Sequence, residues 1–140
     1  AVPIDEVLPS KELSAYGYKF NPVPVAPSEP IIVIPFTSTG PINNITPTEN
    51  GFIVPAGIFE ITVQLTAELN AGLLTSNFAI AINGEPIETT LFSMTSNSPV
   101  AGSLTIQKLN SGDVVSIVIL NPVDLSTIPI TGNFAIKKLN

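Results

Sequence analysis

At 140 residues the chain is one domain's worth, long enough for a sizeable core, and 44% apolar residues argue against disorder over most of it. It has no Cys, His, Arg or Trp, which removes disulfides, thiol redox chemistry, thiolate metal sites and histidine acid–base catalysis. Only 11% is charged, against a usual share of about 25%, and a net charge of −6 leaves no basic patch for nucleic acid or an anionic membrane.

Residues 1 to 13 (AVPIDEVLPSKEL) carry two prolines and most of the local charge. We expect them to be a flexible N-terminal arm or tether ahead of a folded domain over residues 14–140. Ala1 is not a natural start, so a leader or other segment is expected before it. Ala15 to Phe20 alternates, with aromatics at Tyr16, Tyr18 and Phe20, and predicts the first strand. Its tyrosines fit half-buried strand packing or a subunit contact, where tyrosine is enriched.

Asn21 to Pro30 (NPVPVAPSEP) has four prolines in ten residues, which predicts an extended linker outside any central strand. Ile31 to Ser38 is apolar on both faces, with a bulge or an edge at Pro35. Its longest apolar run, Ile31 to Phe36, is far too short to span a bilayer. Thr39 to Asn50 reads as a loop, being rich in Gly, Pro and Asn. Gly51 to Val54 reads as a short strand.

The strongest signal runs from Gly57 to Asn70. Phe59, Ile61, Val63, Leu65, Ala67 and Leu69 alternate with Glu60, Thr62, Gln64, Thr66, Glu68 and Asn70. Successive strand side chains point to opposite faces, so this is a long strand with one buried and one polar face. Asn77 to Asn83 predicts the next strand, and Asn83-Gly84 is the strongest two-residue hairpin signal. It leads into a return over Pro86 to Met94. Val100 to Leu109 predicts a strand with Leu104 and Ile106 on one face. A turn over Asn110 to Asp113 leads to Val114 to Leu120. After a loop with Pro122 and Pro129, Ile130 to Leu139 closes the chain. Roughly eight to ten short strands without a convincing helix make the class all-β, a sandwich or a barrel.

Val114 to Leu120 (VVSIVIL) leaves almost no polar face, and Ile31 to Ile34 are similar. A two-layer sandwich buries one face of a strand. We therefore expect a neighbouring copy to cover the other.

The order and spacing of these elements resemble the complement component 1q and tumour-necrosis-factor superfamily. Three stretches carry the resemblance. Phe52-Ile53-Val54-Pro55-Ala56-Gly57-Ile58-Phe59 is similar to the family's Pro-x-Gly entry into its long core strand. Phe78 to Ile87 (FAIAINGEPI) is similar to its strand, Asn-Gly-type hairpin and return. Ala101 to Val115 (AGSLTIQKLNSGDVV) is similar to its Gly-Ser, apolar strand and Leu-x-x-Gly-Asp-x-Val run. The start at Tyr16 to Asn21 (YGYKFN) and the Pro-rich stretch look like the bacterial branch found on spore surfaces.

The resemblance implies an antiparallel two-sheet jelly roll that forms a homotrimer, and a non-enzymatic role as head or anchor of a spore-surface (exosporium) or filament protein. The implied partners are copies of itself and other spore-coat, exosporium or filament proteins, on an extracellular or spore surface. Phe59, Phe78, Val115, Ile117 and Phe134 are the candidate residues for the threefold interface. The resemblance also makes Asp113 and Asp124 candidate Ca²⁺ ligands; no other cofactor is implied. A hairpin turn in which Asp accepts backbone bonds explains Gly112-Asp113 equally from the residues alone. The alternative function is an adhesin or lectin gripping a receptor or glycan through Thr39–Asn50 and Asn121–Pro129.

Overall fold

The computed structural model describes residues 14–25, 33–67, 76–95, 100–120 and 130–139. The expected arm over residues 1–13, Asp124 and the loop Asn121–Pro129 lie outside them. Eleven strands are present among the described residues: β1 (Tyr16–Val25), β2 (Ser38–Asn43), β3 (Thr46–Pro47), β4 (Gly51–Ile53), β5 (Gly57–Ala67), β6 (Ser76–Ile82), β7 (Glu85–Pro86), β8 (Phe92–Met94), β9 (Val100–Leu109), β10 (Val114–Ile119) and β11 (Ile130–Lys138). The one helical piece among them is a 3-10 turn over Glu88–Thr90.

They form two antiparallel sheets. The first has the order β2-β1-β11-β5-β9. The second has the order β3-β4-β10-β6-β7, with β8 pairing β6 beyond the place where β7 does. The fold is thus the all-β jelly-roll sandwich the sequence predicts.

β5 obeys its alternation. Phe59, Ile61, Val63 and Leu65 are buried, while Gln64 and Thr66 are exposed. The inward residues meet those of β4, β6, β10 and β11 in one continuous core. Phe134 sits at its middle, with ring centroids 4.9 Å from Phe52 and 5.6 Å from Phe36. Phe78 and Phe92 stack at 5.4 Å toward β8. Such offset and tilted aromatic pairs add to what their buried area contributes.

Polar groups caught inside are satisfied. The Thr90 hydroxyl donates to Ile87 O at 2.7 Å and accepts from Ile80 N at 2.9 Å, which ties the 3-10 turn to β6. Asn21 accepts from Thr37 N at 2.8 Å and donates to Pro35 O at 2.9 Å. Among the described residues no buried side-chain nitrogen or oxygen lacks a partner.

Three expectations need correction. Residues 21–25 do not leave the sheet as a linker: β1 runs to Val25 between β2 and β11, with its register slipping between Asn21 and Val25. The slip accommodates Pro22 and Pro24, which lack the N–H a regular ladder uses. Thr39–Asn50 is not simply a loop, because it contributes β2 and β3 at sheet edges. Gly40, Pro41 and Pro47 are tolerated there since an edge strand pairs on one side only. The return over Pro86 to Met94 is broken into β7, the 3-10 turn and β8.

Candidate assembly surface

The chain itself covers the β10–β6 part of the second sheet's back, while Ile53 on β4 stays 37% exposed. Ser116 and Val118 on the outer side of β10 are buried, as are Ala79 and Ala81 on β6. Val33 packs over this patch and bridges to Val118, and Ile34 N donates to Ile117 O at 2.8 Å. A segment of the same chain therefore does what a neighbouring copy was expected to do. The apolar run of β10 is greasy front and back because both sides lie inside one protomer.

The five interface candidates lie inside as well. Phe59 on β5 and Phe134 on β11 project from the first sheet, and Phe78 on β6 with Val115 and Ile117 on β10 from the second. All five are fully buried in the single chain. The structure brings them together, but as the protomer's own core. With no exposed surface they cannot be the surface by which copies meet.

Unspent apolar surface lies instead on the outer face of the first sheet. On β9 the even-numbered positions point out, and Val100, Leu104 and Ile106 are 46%, 57% and 56% exposed. Directly paired residues of adjacent strands share a face. The register sets Leu104 beside Thr62, Ile106 beside Glu60 and Val100 beside Thr66. The next strand across sets Ala135 beside Thr62 and Asn133 beside Gln64. On β1, one strand in from the β2 edge, Tyr18 pairs with Ala135 and Phe20 with Asn133, and the two rings stack at 5.6 Å. Tyr16 on the same face is exposed.

This face thus has an aliphatic row on the β9 edge, a short polar middle on β5 and β11, and an aromatic row on β1, with β2 at the other edge. Glu60, Lys108 and Lys137 stand toward one end, where Lys137 Nζ lies 3.7 Å from Glu60 Oε2. Both side chains are solvated, so this pair adds little stability. Among the described residues the rest of the face is uncharged.

The sequence put Leu104 and Ile106 on one face without saying which way that face looks. Its inward counterpart on β9 is weakly apolar: Ala101, Ser103, Thr105, Gln107 and Leu109. That reversal, with the more apolar row outside, was the signal available to find the surface.

Asp113 is committed to its turn. Its Oδ2 accepts from Asn110 N at 2.8 Å and its Oδ1 from Asn83 Nδ2 at 2.9 Å. These bonds hold its carboxyl below the ordinary value of 3.8, the Asn110 amide being the larger cause. Among the described residues no group of three or more Asp, Glu, His or Cys is placed to hold a metal ion. Nor is any helix among them long and apolar enough to cross a membrane.

The architecture matches solved jelly rolls along nearly its whole length. Murine APRIL at pH 5.0 superposes with a TM-score of 0.65 at 13% identity, over 90% of this chain and 99% of that one. The globular domain of zebrafish complement 1qA protein gives 0.66 at 11% identity, over 91% and 98%. Rabbit GITRL gives 0.58 at 13%, over 90% and 94%. No family model matches the sequence, and no curated protein matches it. At these identities the likeness is one of fold: the chain shares the jelly roll of those three proteins.

Proposed function

We propose that the chain is a non-enzymatic assembly module that joins copies of itself through the outer face of the first sheet. The observation that carries this reading is the exposed Val100–Leu104–Ile106 row on a face whose charges, Glu60, Lys108 and Lys137, stand toward one end, in a protein whose other sheet has its β10–β6 patch covered by its own chain. Contiguous apolar surface of this kind marks an interaction site.

The occupant is a second copy of the same chain. The two apolar rows of the face differ, aliphatic on β9 and aromatic on β1. A contact that sets one row against the other on the next copy is heterologous, and such contacts form rings where the rotation between copies closes. The resemblance of the chain and its fold to the tumour-necrosis-factor and complement-1q proteins supports a ring of three. A low charge content and the absence of histidine and cysteine suit a passive, exposed role. With the Tyr16–Asn21 start, they support a head or anchor for an extracellular coat or filament, of the kind found on bacterial spores.

The double variant Leu104→Glu, Ile106→Glu tests the surface. It places charge where contact is proposed, so the particle should fall to the mass of one chain while its circular dichroism stays that of a β-sandwich. A particle of unchanged mass would mean that this face is solvent in the assembly.

A further inference from the structure

Two turns at one end of the second sheet are tied together by a single amide. Asn83, in the β6–β7 turn, donates from Nδ2 to Asp113 Oδ1 at 2.9 Å and accepts at Oδ1 from Val114 N at 2.9 Å. Its own N–H donates to Val114 O at 2.7 Å. Asn83 and Gly84 both lie in the left-handed region, with φ of 52° and 83°. Both are exposed, and a Cβ at Gly84 would meet nothing within 4 Å. An asparagine followed by glycine is chemically labile, because no side chain screens the glycine nitrogen from the asparagine amide carbon.

We propose that Asn83-Gly84 is a deamidation site, that Asp113 and Val114 hold its amide against reaction, and that conversion there unlocks the two turns. The Gly84 nitrogen loses its proton and bonds to Asn83 Cγ. The Cγ–Nδ2 bond breaks, and ammonia leaves carrying that proton. Water then opens the five-membered imide to a carboxylate, linked through either the main chain or the side chain. To react, the amide must first leave the Asp113 and Val114 bonds. Afterwards a carboxylate stands where an N–H donated to Asp113. Two anions then face each other at hydrogen-bond distance with no proton between them.

The chain carries its own control. Asn50-Gly51 is the same dipeptide, but Gly51 is buried in β4 and its N–H donates to Thr48 Oγ1 at 2.9 Å. The Val115 carbonyl oxygen fills the space a Cβ would take, so the Gly51 nitrogen is shut off on that side too.

Incubating the full chain at mildly alkaline pH and mapping peptides by mass tests the proposal. Asn83 should convert slowly and Asn50 not at all. In Asp113→Ala the Asn83 rate should rise about tenfold, roughly the worth of the one hydrogen bond to a charged group that is lost. Equal Asn83 rates in the two proteins, or conversion at Asn50 as fast as at Asn83, would overturn it. Should Asp113→Ala fail to fold, Asn83→Asp carries the test. It should melt below wild type at pH 7 and regain most of the difference below about pH 4, where carboxylates take up protons. Melting like wild type at pH 7 would overturn the unlocking.

Discussion

Lys19 is a charged side chain held in a buried position. It points inward from β1, is 3% exposed, and its ammonium donates to Thr39 Oγ1 at 3.0 Å. An ammonium carries three donors. Burial pushes its pKa below the ordinary 10.5. A lysine whose folded pKa is lowered destabilises the fold while it is charged. That penalty is present at neutral pH and fades as pH climbs through the folded pKa toward 10.5. Lys19→Met keeps the stem and removes the charge. It should add about 1 kcal/mol of stability at pH 7 by denaturant titration, with the gain shrinking in alkali. A clear loss of stability at pH 7 would contradict this account of the site. Asp113 has the opposite sense: its carboxyl is held low, so its contribution is complete above 3.8 and is lost as pH falls through the folded value. Asp113→Asn should therefore flatten the acid limb of the melting-temperature profile. An unchanged limb would mean that other carboxylates set it.

Among the elements, β5 lays Phe59, Ile61, Val63 and Leu65 into the core and β11 lays Ile130, Phe134 and Ile136 beside them, and Phe134 joins them to the second sheet through Phe52. Phe134→Ala should cost about 3–5 kcal/mol in denaturant unfolding, because a ring lost from a close-packed centre leaves a cavity. A loss under about 1 kcal/mol would mean that the centre is loosely packed. β5 was legible in the sequence because its apolar and polar residues separate cleanly by parity. β1 was legible as a strand over Ala15 to Phe20, but its facing and its run on to Val25 were not, for its polarity is inverted: Tyr16, Tyr18 and Phe20 face out while Gly17, Lys19 and Asn21 face in. Gly17 faces in because the Phe52 ring needs the space, a Cβ there falling 2.7 Å from Phe52 Cε1. No local pattern announces a partner thirty-five residues away. β2 and β3 were hidden by Gly40, Pro41 and Pro47, which read as loop and are tolerated at an edge. The interface candidates failed for a related reason. Core and contact surface draw on the same residue types, so Ile117 and Leu104 look alike until the sheets are placed back to back.

At the scale of the whole molecule, the two sheets differ in how they end. On the second, Val33 of the same chain covers the β10–β6 patch. The first leaves a broad, sparsely charged face with two apolar rows of different kinds. A protein this poor in charge has little else to keep such a face in water, and a closed ring of copies hides it without leaving an edge for further growth. Light scattering on the purified chain at micromolar concentration tests that claim most directly. The account predicts a single species with the mass of three chains, and a stable single-chain species under those conditions would contradict it.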